Sequence, residues 1–333
     1  MYEDQTMLGC SLLAAEQLDL ISRPIPKPGA GAVLVRVGVV GICGSDLKMY
    51  RSGALVPGLV PGHEFSGVVA ALGEGVQGIT VGQRVTVNPM RSLIGIRRDG
   101  AFAEYLEVPD ARPGHSVFPL PDSVSDDQGA LVEPLAVALR GLNRSHFTPD
   151  SRVVLQGLGT IGLCALLLLR QRGVRNILAL DRAGMRLDLA EQLGAIPHTL
   201  GGGDLNAKVE AVFATRPGSS RTAGVDLVVD ATGSEAALAA GVGLLRMGGD
   251  LLVLGTYAGE VALDINQVVA KELRLIGSMA YDDEFPAALQ LIADGLDVTA
   301  LVSHRFPLAQ IDRAMAQSLD PAASVKVLVD VCR

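Results

Sequence analysis

Cysteine is scarce in this chain. Four are spread over 333 residues, at Cys10, Cys43, Cys164 and Cys332, and none forms a C-x2-C clip with another. That excludes a zinc ribbon and argues against a disulfide scaffold, leaving a reducing compartment as the default. A cysteine with a special role must act alone or with other residue types. No run of Lys or Arg occurs, and the balance of 28 basic and 36 acidic residues gives a net charge of −8. A polyanion meets repulsion rather than counterion release, so nucleic acid is not an expected partner. No apolar stretch is long enough to cross a bilayer. The greasiest, residues 158–169, is closed by Arg170 and Arg172 and falls short of the roughly 20 residues required. It reads as a helix buried on most sides. The N-terminal MYEDQTMLGC carries acidic residues where a secretory signal carries basic ones, and no apolar core with a small-residue cleavage site follows. A cytoplasmic protein is expected, with no membrane partner.

What is present is apolar: 49% of residues are hydrophobic and the mean hydropathy is +0.35, enough for about two domains with separate cores. Residues 33–40 (VLVRVGVV) and 65–72 (FSGVVAAL) are short β-branched runs bounded by Gly and Pro, so the first third reads as strand-rich. From Ser151 the texture changes to regular alternation. RVVLQ, NILALD, VDLVVD, DLLVLG and LRLIGS are separated by helical stretches, which predicts a parallel sheet covered by helices on both faces. A helix over 285–292, a strand near 302–306, a helix over 308–318 and the strand VKVLVDV close the chain. This tail is too short to fold alone and is expected to rejoin the N-terminal domain. The predicted division is 1–142 with 282–333 for a β-rich domain and 143–281 for an α/β domain. Residues 201–203 and 215–224 read as surface loops.

After the strand at 152–156 comes Gly157-Leu158-Gly159-Thr160-Ile161-Gly162, a G-x-G-x-x-G that opens a helix. The first glycine permits a tight turn, the second lets backbone approach a pyrophosphate, and the third lets helix pack on strand. The helix N-terminus offers N–H groups to the phosphates. The pattern is weak alone, but the next strand ends in Asp181, where a ribose-binding carboxylate belongs. Such a carboxylate repels a 2′-phosphate, so NAD is favoured over NADP. Arg182 and Arg186 could instead meet a phosphate, although their commoner role is a solvated stripe on the following helix. Further on, DATG at 230–233 contains Thr232.

Three earlier segments carry metal-ligand types: Cys43 in GICGSD, His63 and Glu64 in PGHEFSG, and Glu133 in EPLAVAL. Each has a bland alternative: a small buried thiol, a hydrogen-bonded core histidine, a carboxylate at a helix N-terminus. Together with a dinucleotide fold they suit a catalytic zinc site with an open fourth position.

These motifs, with GLGTIG and DATG, occur in the order and approximate spacing of the zinc-dependent medium-chain dehydrogenase/reductase family, which the chain resembles over nearly its whole length. The resemblance implies a GroES-like β-rich catalytic domain joined to a doubly wound Rossmann domain, an α/β fold overall, with the active site between them. It implies Cys43 and His63 as zinc ligands, with Glu64, Glu133 or both reaching the ion directly or through water. Asp46 matches the carboxylate that orients the zinc histidine, and Ser45 the hydroxyl that takes the substrate proton. Glu133 resembles sorbitol, threonine and related polyol dehydrogenases rather than ethanol dehydrogenases. The implied substrate is therefore a small secondary alcohol of polyol, sugar-alcohol or amino-cyclitol type, oxidised to a ketone with NAD. A homodimer or homotetramer is implied as well.

The chain departs from the family pattern at three places. Residues 87–102 (VNPMRSLIGIRRDGAF) lack the cysteine cluster of a structural-zinc lobe, so one zinc per subunit is expected. Lys48 stands where relatives carry a proton-relaying histidine, and can relay only if its pKa is lowered; a solvated cation is the equal alternative. Arg140 stands where His is frequent and is expected to be structural or at the cofactor edge. Lys48, Tyr50 and Arg51 are candidates to meet a polar substrate. Two rival readings are a zinc-free reductase of quinone or enoyl type on the same fold, and a nucleotide-binding protein without catalysis.

Overall fold

The computed structural model describes residues 5–53, 56–182, 184–215 and 223–332. Most of the loop expected at 215–224, and the first four residues of the N-terminal decapeptide, lie outside the described residues.

In chain order the elements begin with β1 (Thr6–Ala14), β2 (Gln17–Pro24), β3 (Val33–Gly41), α1 (Gly44–Ser52), β4 (Glu64–Leu72), β5 (Arg84–Val87), β6 (Tyr105–Val108) and β7 (Val117–Pro119). Then come α2 (Asp126–Ala130), α3 (Val132–Arg144), β8 (Arg152–Gln156), α4 (Thr160–Gln171), β9 (Asn176–Asp181), α5 (Gly184–Gln192), β10 (Ile196–Thr199) and α6 (Leu205–Phe213). The remainder is β11 (Val225–Asp230), α7 (Glu235–Leu244), β12 (Leu245–Val253), α8 (Ile265–Ala270), β13 (Arg274–Gly277), α9 (Glu284–Ala293), β14 (Val302–Pro307), α10 (Ile311–Ser318) and β15 (Lys326–Asp330).

Packing divides the chain into two compact units. The first comprises Met1–Glu133, Phe285–Asp320 and Lys326–Arg333; the second comprises Pro134–Glu284 and Pro321–Val325. The expected boundary at 142 thus moves upstream to 133. Beyond its first turn α3 packs within the second unit, where a Cβ on Gly141 would press on Leu252 and Leu254. The boundary expected at 282 moves to 284 because Asp282 and Glu284 both pair with Arg140 on α3. Residues 321–325 join the second unit through the carbonyls of Ser324 and Val325, which accept hydrogen bonds from Arg186 and Thr160.

In the first unit β14, β15, β3, β4, β5 and β7 follow one another across a seven-stranded sheet in which β6 also pairs with β3. β1 and β2 form a separate antiparallel hairpin. The closing strand β15 lies antiparallel to β3, with Leu328 opposite Gly41, and its Val327 and Val329 share one core with Val33, Phe65 and Phe102. Valine-rich β3 is buried along most of its length, as a strand lined on both faces must be.

The second unit is a six-stranded parallel sheet in the order β10-β9-β8-β11-β12-β13. The order reverses beside β8, the switch point at which such sheets bind ligands outside the strand carboxyl ends. Helix α4 is buried continuously from Gly162 to Leu169, which explains its nearly unbroken apolar sequence. Hydrophobic periodicity did not signal β10 or α6. β10 is a short edge strand carrying Pro197, and α6 is started by Asp204, whose carboxylate accepts from the amides of Asn206 and Ala207. Gly201–Gly203 lies in an exposed turn before it. No helix is long and apolar enough to cross a membrane among the described residues.

Candidate metal centre and dinucleotide site

The register of β3 against β4 pairs Gly41 with Glu64, bringing the end of one strand and the start of the other side by side. Gly41 has to be glycine, because a Cβ there would stand 2.5 Å from Glu64 Oε2. Two residues later Cys43 caps α1, placing its sulfur at the positive end of the helix. Asp46, buried on the first turn, ties the two segments together. One oxygen accepts from the Cys43 amide at 2.9 Å and the other from the Gly62 amide at 3.2 Å. The trimmed segment 87–102 packs directly on this strand entry. Gly100 N donates to Val60 O and Ala101 N to Gly62 O, and Gly95 approaches Gly62 so closely that a Cβ would stand 2.5 Å from its carbonyl oxygen.

The result gathers Cys43, His63 and Glu64, whose ligand atoms all lie within 4.8 Å of one another. Glu133 stands outside that group. His63 Nδ1 is buried with no hydrogen-bond partner, 3.5 Å from Asp46 Oδ1, while Nε2 lies 3.3 Å from Ser45 Oγ. A thiol, an imidazole and a carboxylate are the donor types zinc takes, and with Nδ1 turned to Asp46 the other ring nitrogen, Nε2, is the one that would reach an ion. The residues therefore fit a zinc ion.

The electrostatics are those of a buried charge cluster. Burial pulls the His63 pKa down, but Asp46 and Cys43 outweigh it and hold the imidazole well above its usual range. Burial pushes Glu133 up to about 7; Glu64 and Asp46 add to the rise, while His63 and Lys326 oppose it. The sequence reading missed Lys326. It sits on β15, and its Nζ donates to Glu64 Oε2 at 2.6 Å and to Ile42 O at 2.8 Å, with both side chains of the ion pair only 1% exposed. A lysine inside the apolar run VKVLVDV was the available signal, since such a residue is buried only when paired.

The other candidates are more peripheral. Lys48 lies on α1 one turn beyond Ser45, exposed and without an ion-pair partner among the described residues. Tyr50 is half-buried and Arg51 exposed on the same helix. Arg140 pairs with Asp282 at 2.8 Å and Glu284 at 3.4 Å, a structural role. Cys10 is buried, its thiol pushed up to about 12 chiefly by burial, and Cys164 is buried on α4.

In the second unit, Gly157 to Gly162 occupy the turn between β8 and α4. Gly157 has φ 85°, and a Cβ on Gly162 would overlap the Gly157 carbonyl oxygen, so these two are demanded by turn and packing. At Gly159 the situation differs. A Cβ there would meet only Arg186 Nη1, at 3.8 Å, so the protein itself leaves that space free. Thr160 and Ile161 begin α4 beside it. Asp181, at the end of β9, accepts from the amide of Leu158 at 2.7 Å and of Arg182 at 2.6 Å. Arg182 is exposed, whereas Arg186 is half-buried with Nε on Ser324 O. Thr232 donates its hydroxyl to Asp230, which also accepts from Tyr257. Gly157, Gly159, Asp181, Arg182, Arg186 and Thr232 line one cavity of about 530 Å³.

Family models of an alcohol dehydrogenase GroES-like domain and of a zinc-binding dehydrogenase match residues 29–122 and 160–294. Sorbitol dehydrogenase of Gallus gallus is 31% identical over 88% of this chain and 88% of its own length. The (R,R)-butanediol dehydrogenase of Bacillus subtilis is 32% identical over 91% and 94%. A zinc-binding dehydrogenase from Sinorhizobium meliloti, solved bound to NADP, is 29% identical with TM-score 0.85 over 98% of this chain and 100% of that one. With a GroES-like domain, a parallel Rossmann sheet and these relatives, the chain belongs to the zinc-binding medium-chain dehydrogenase family of alcohol and polyol oxidoreductases.

Proposed function

We propose that the chain interconverts a secondary alcohol and a ketone, of polyol, sugar-alcohol or amino-cyclitol type, using NAD(H) and one catalytic zinc per subunit. The observation that carries this reading is the convergence of Cys43, His63 and Glu64 beside the Ser45 hydroxyl. Cys43, His63 and Glu64 would hold the zinc, with Glu133 behind them. When bound, zinc supplies Lewis acidity toward an alcohol oxygen, and the nicotinamide supplies the hydride acceptor. Ser45 takes the hydroxyl proton and gives up its own toward solvent; Lys48, one turn on and exposed, stands there as a solvated cation. Asp46 orients the imidazole through its position beside Nδ1.

At the cofactor, Asp181 would receive ribose hydroxyls, and Gly157, Gly159, Thr160, Ile161 and Gly162 would present backbone and helix N-terminus to the pyrophosphate. Arg186 is engaged with Ser324, which favours Asp181 as the discriminating group and NAD over NADP. Four reduced cysteines fit a cytoplasmic setting. A homodimer or homotetramer would find a contact surface at β13, the edge of its sheet, where Leu275 and nearby Met279 are exposed.

The test is metal analysis of purified protein together with a panel of polyols, amino-cyclitols and hydroxy acids, followed by absorbance of reduced nicotinamide with NAD and NADP. About one zinc per chain and NAD-dependent turnover are expected. Two tightly bound zinc equivalents would overturn the single-metal reading. Turnover of quinones or enoyl compounds by metal-free protein would overturn the whole.

A further inference from the structure

Residues 87–102, which lack the cysteine cluster of a structural-zinc lobe, close into a tight turn. The carbonyl of Leu93 accepts from the amides of Ile96, Arg97 and Arg98, and Gly95 N donates back to Arg98 O at 2.9 Å. Leu93 and Gly95 both take positive φ, 57° and 71°, which lets so short a loop reverse. The turn leads into 99–102, and these four residues hold the strand entry at 60–62. Val60 N donates to Asp99 Oδ1 at 3.0 Å, while Val60 O accepts from Gly100 N at 2.7 Å, Pro61 O from Phe102 N at 3.1 Å and Gly62 O from Ala101 N at 2.8 Å. The remaining donor, Gly62 N, goes to Asp46 Oδ1. The fit is close as well as polar: a Cβ on Gly100 would stand 2.2 Å from Gly62 O and 2.6 Å from Pro61 O. The hairpin of β1 and β2 backs the same loop, through Cys10 N on Phe102 O at 2.8 Å and Arg23 on Asp99 Oδ2 at 2.8 Å.

His63 follows Gly62 directly, so the place of its ring depends on where this backbone lies. Val60 is 1% exposed, and a buried amide deprived of its acceptor is costly enough to move the chain that carries it. The ion pair of Asp99 with Arg23 is open to solvent and adds little by itself. What the Asp99 carboxylate supplies is the acceptor for that buried amide, from a side chain that is not among the metal-ligand candidates. We propose that Asp99 is a positioning residue for the metal centre: by fixing the Val60 amide it sets the strand entry that presents His63 to zinc. This rests on the zinc reading above.

The test measures zinc affinity by competition with a chromophoric chelator, and the visible absorption of the cobalt(II)-substituted protein, at a temperature where circular dichroism shows each variant folded. Cobalt absorption follows ligand geometry at the ion, and a loss of stability that leaves the ligands in place does not move it. Asp99→Ala is expected to bind zinc about tenfold more weakly than wild type, with displaced or weakened cobalt bands, because the ligand histidine is no longer held in register. Asp99→Asn keeps an acceptor for the Val60 amide and should stay within about twofold of wild type in affinity, with the wild-type spectrum. Should the alanine variant melt early, Asp99→Ser, one bond short of Oδ1, is expected to show the same loss. Wild-type zinc affinity and cobalt spectrum in the folded alanine or serine variant overturns the positioning role, as does a loss in Asp99→Asn equal to that in Asp99→Ala. Wild-type protein that binds neither zinc nor cobalt overturns the metal reading and this proposal with it.

Discussion

The two units build their sites from different material. In the first, Cys43, Asp46, His63, Glu64, Glu133 and Lys326 place ionisable side chains in one buried cluster, drawn from segments far apart in sequence. In the second, a turn of backbone at Gly157 to Gly162 does most of the shaping, and the side chains that matter sit at strand ends one βαβ step away. The difference teaches that a side-chain site depends on the whole fold, since each charge is tolerable only while its partners stay in place. A backbone site depends on a few residues whose geometry is local.

Four tests by substitution would break or sharpen that contrast. The largest effect is expected from Cys43→Ser or His63→Ala: alcohol oxidation falls by about a thousandfold or more and zinc is lost from the purified protein. NADH binding, followed by fluorescence, should stay within about twofold, because the second unit does not draw on these side chains. Loss of NADH binding in the same variants would show the units to be interdependent.

Next comes Lys326→Met, which strands the Glu64 carboxylate without its cation. Denaturant unfolding is expected to show a loss of about 3–5 kcal/mol, recovered in part by adding Glu64→Gln. A smaller change, or no recovery in the double variant, would show that the cluster does not behave as a coupled charge set.

At the second site, Asp181→Ser is expected to move the kcat/KM ratio of NAD to NADP by about tenfold or more toward NADP, with a stability loss of about 1–3 kcal/mol because the Leu158 amide loses its carboxylate acceptor. An unchanged ratio would remove Asp181 from cofactor selection. The smallest effect is expected from Lys48→Met. As an exposed cation it should slow turnover only about two- to fivefold, with the loss rescued by added small buffers if it relays protons.

Legibility from sequence follows the same division. The glycine turn and Asp181 could be read directly, because strand, turn and helix succeed one another and each glycine has a local reason. Cys43, His63 and Glu64 were legible only as a constellation supported by resemblance, since no spacing in the chain brings residues 43 and 64 together; the β3–β4 register does that. The sequence left Glu64 and Glu133 as alternatives; what the fold adds is that Glu64, brought beside Gly41 by the strand register, falls within 4.8 Å of Cys43 and His63. Lys326 escaped because its meaning lies in a partner 262 residues away, and β10 and α6 escaped because a short edge strand and a cap-initiated helix carry little periodicity. The domain boundaries shifted for a related reason: α3 begins beside Glu133 and continues into the other unit's packing, which composition does not mark.

The pairing of β15 with β3 has a consequence for how the protein is made. During synthesis β3, β4 and the residues of the candidate metal centre leave the ribosome early, yet the cation that neutralises Glu64 emerges only after the whole second unit has been translated. A nascent chain can fold its parallel sheet first and must hold the Glu64 carboxylate solvated or unpaired until the last strand arrives. Burial of the Glu64 carboxylate is thereby tied to completion of the polypeptide, and a chain stopped short of residue 326 lacks the cation that pairs it.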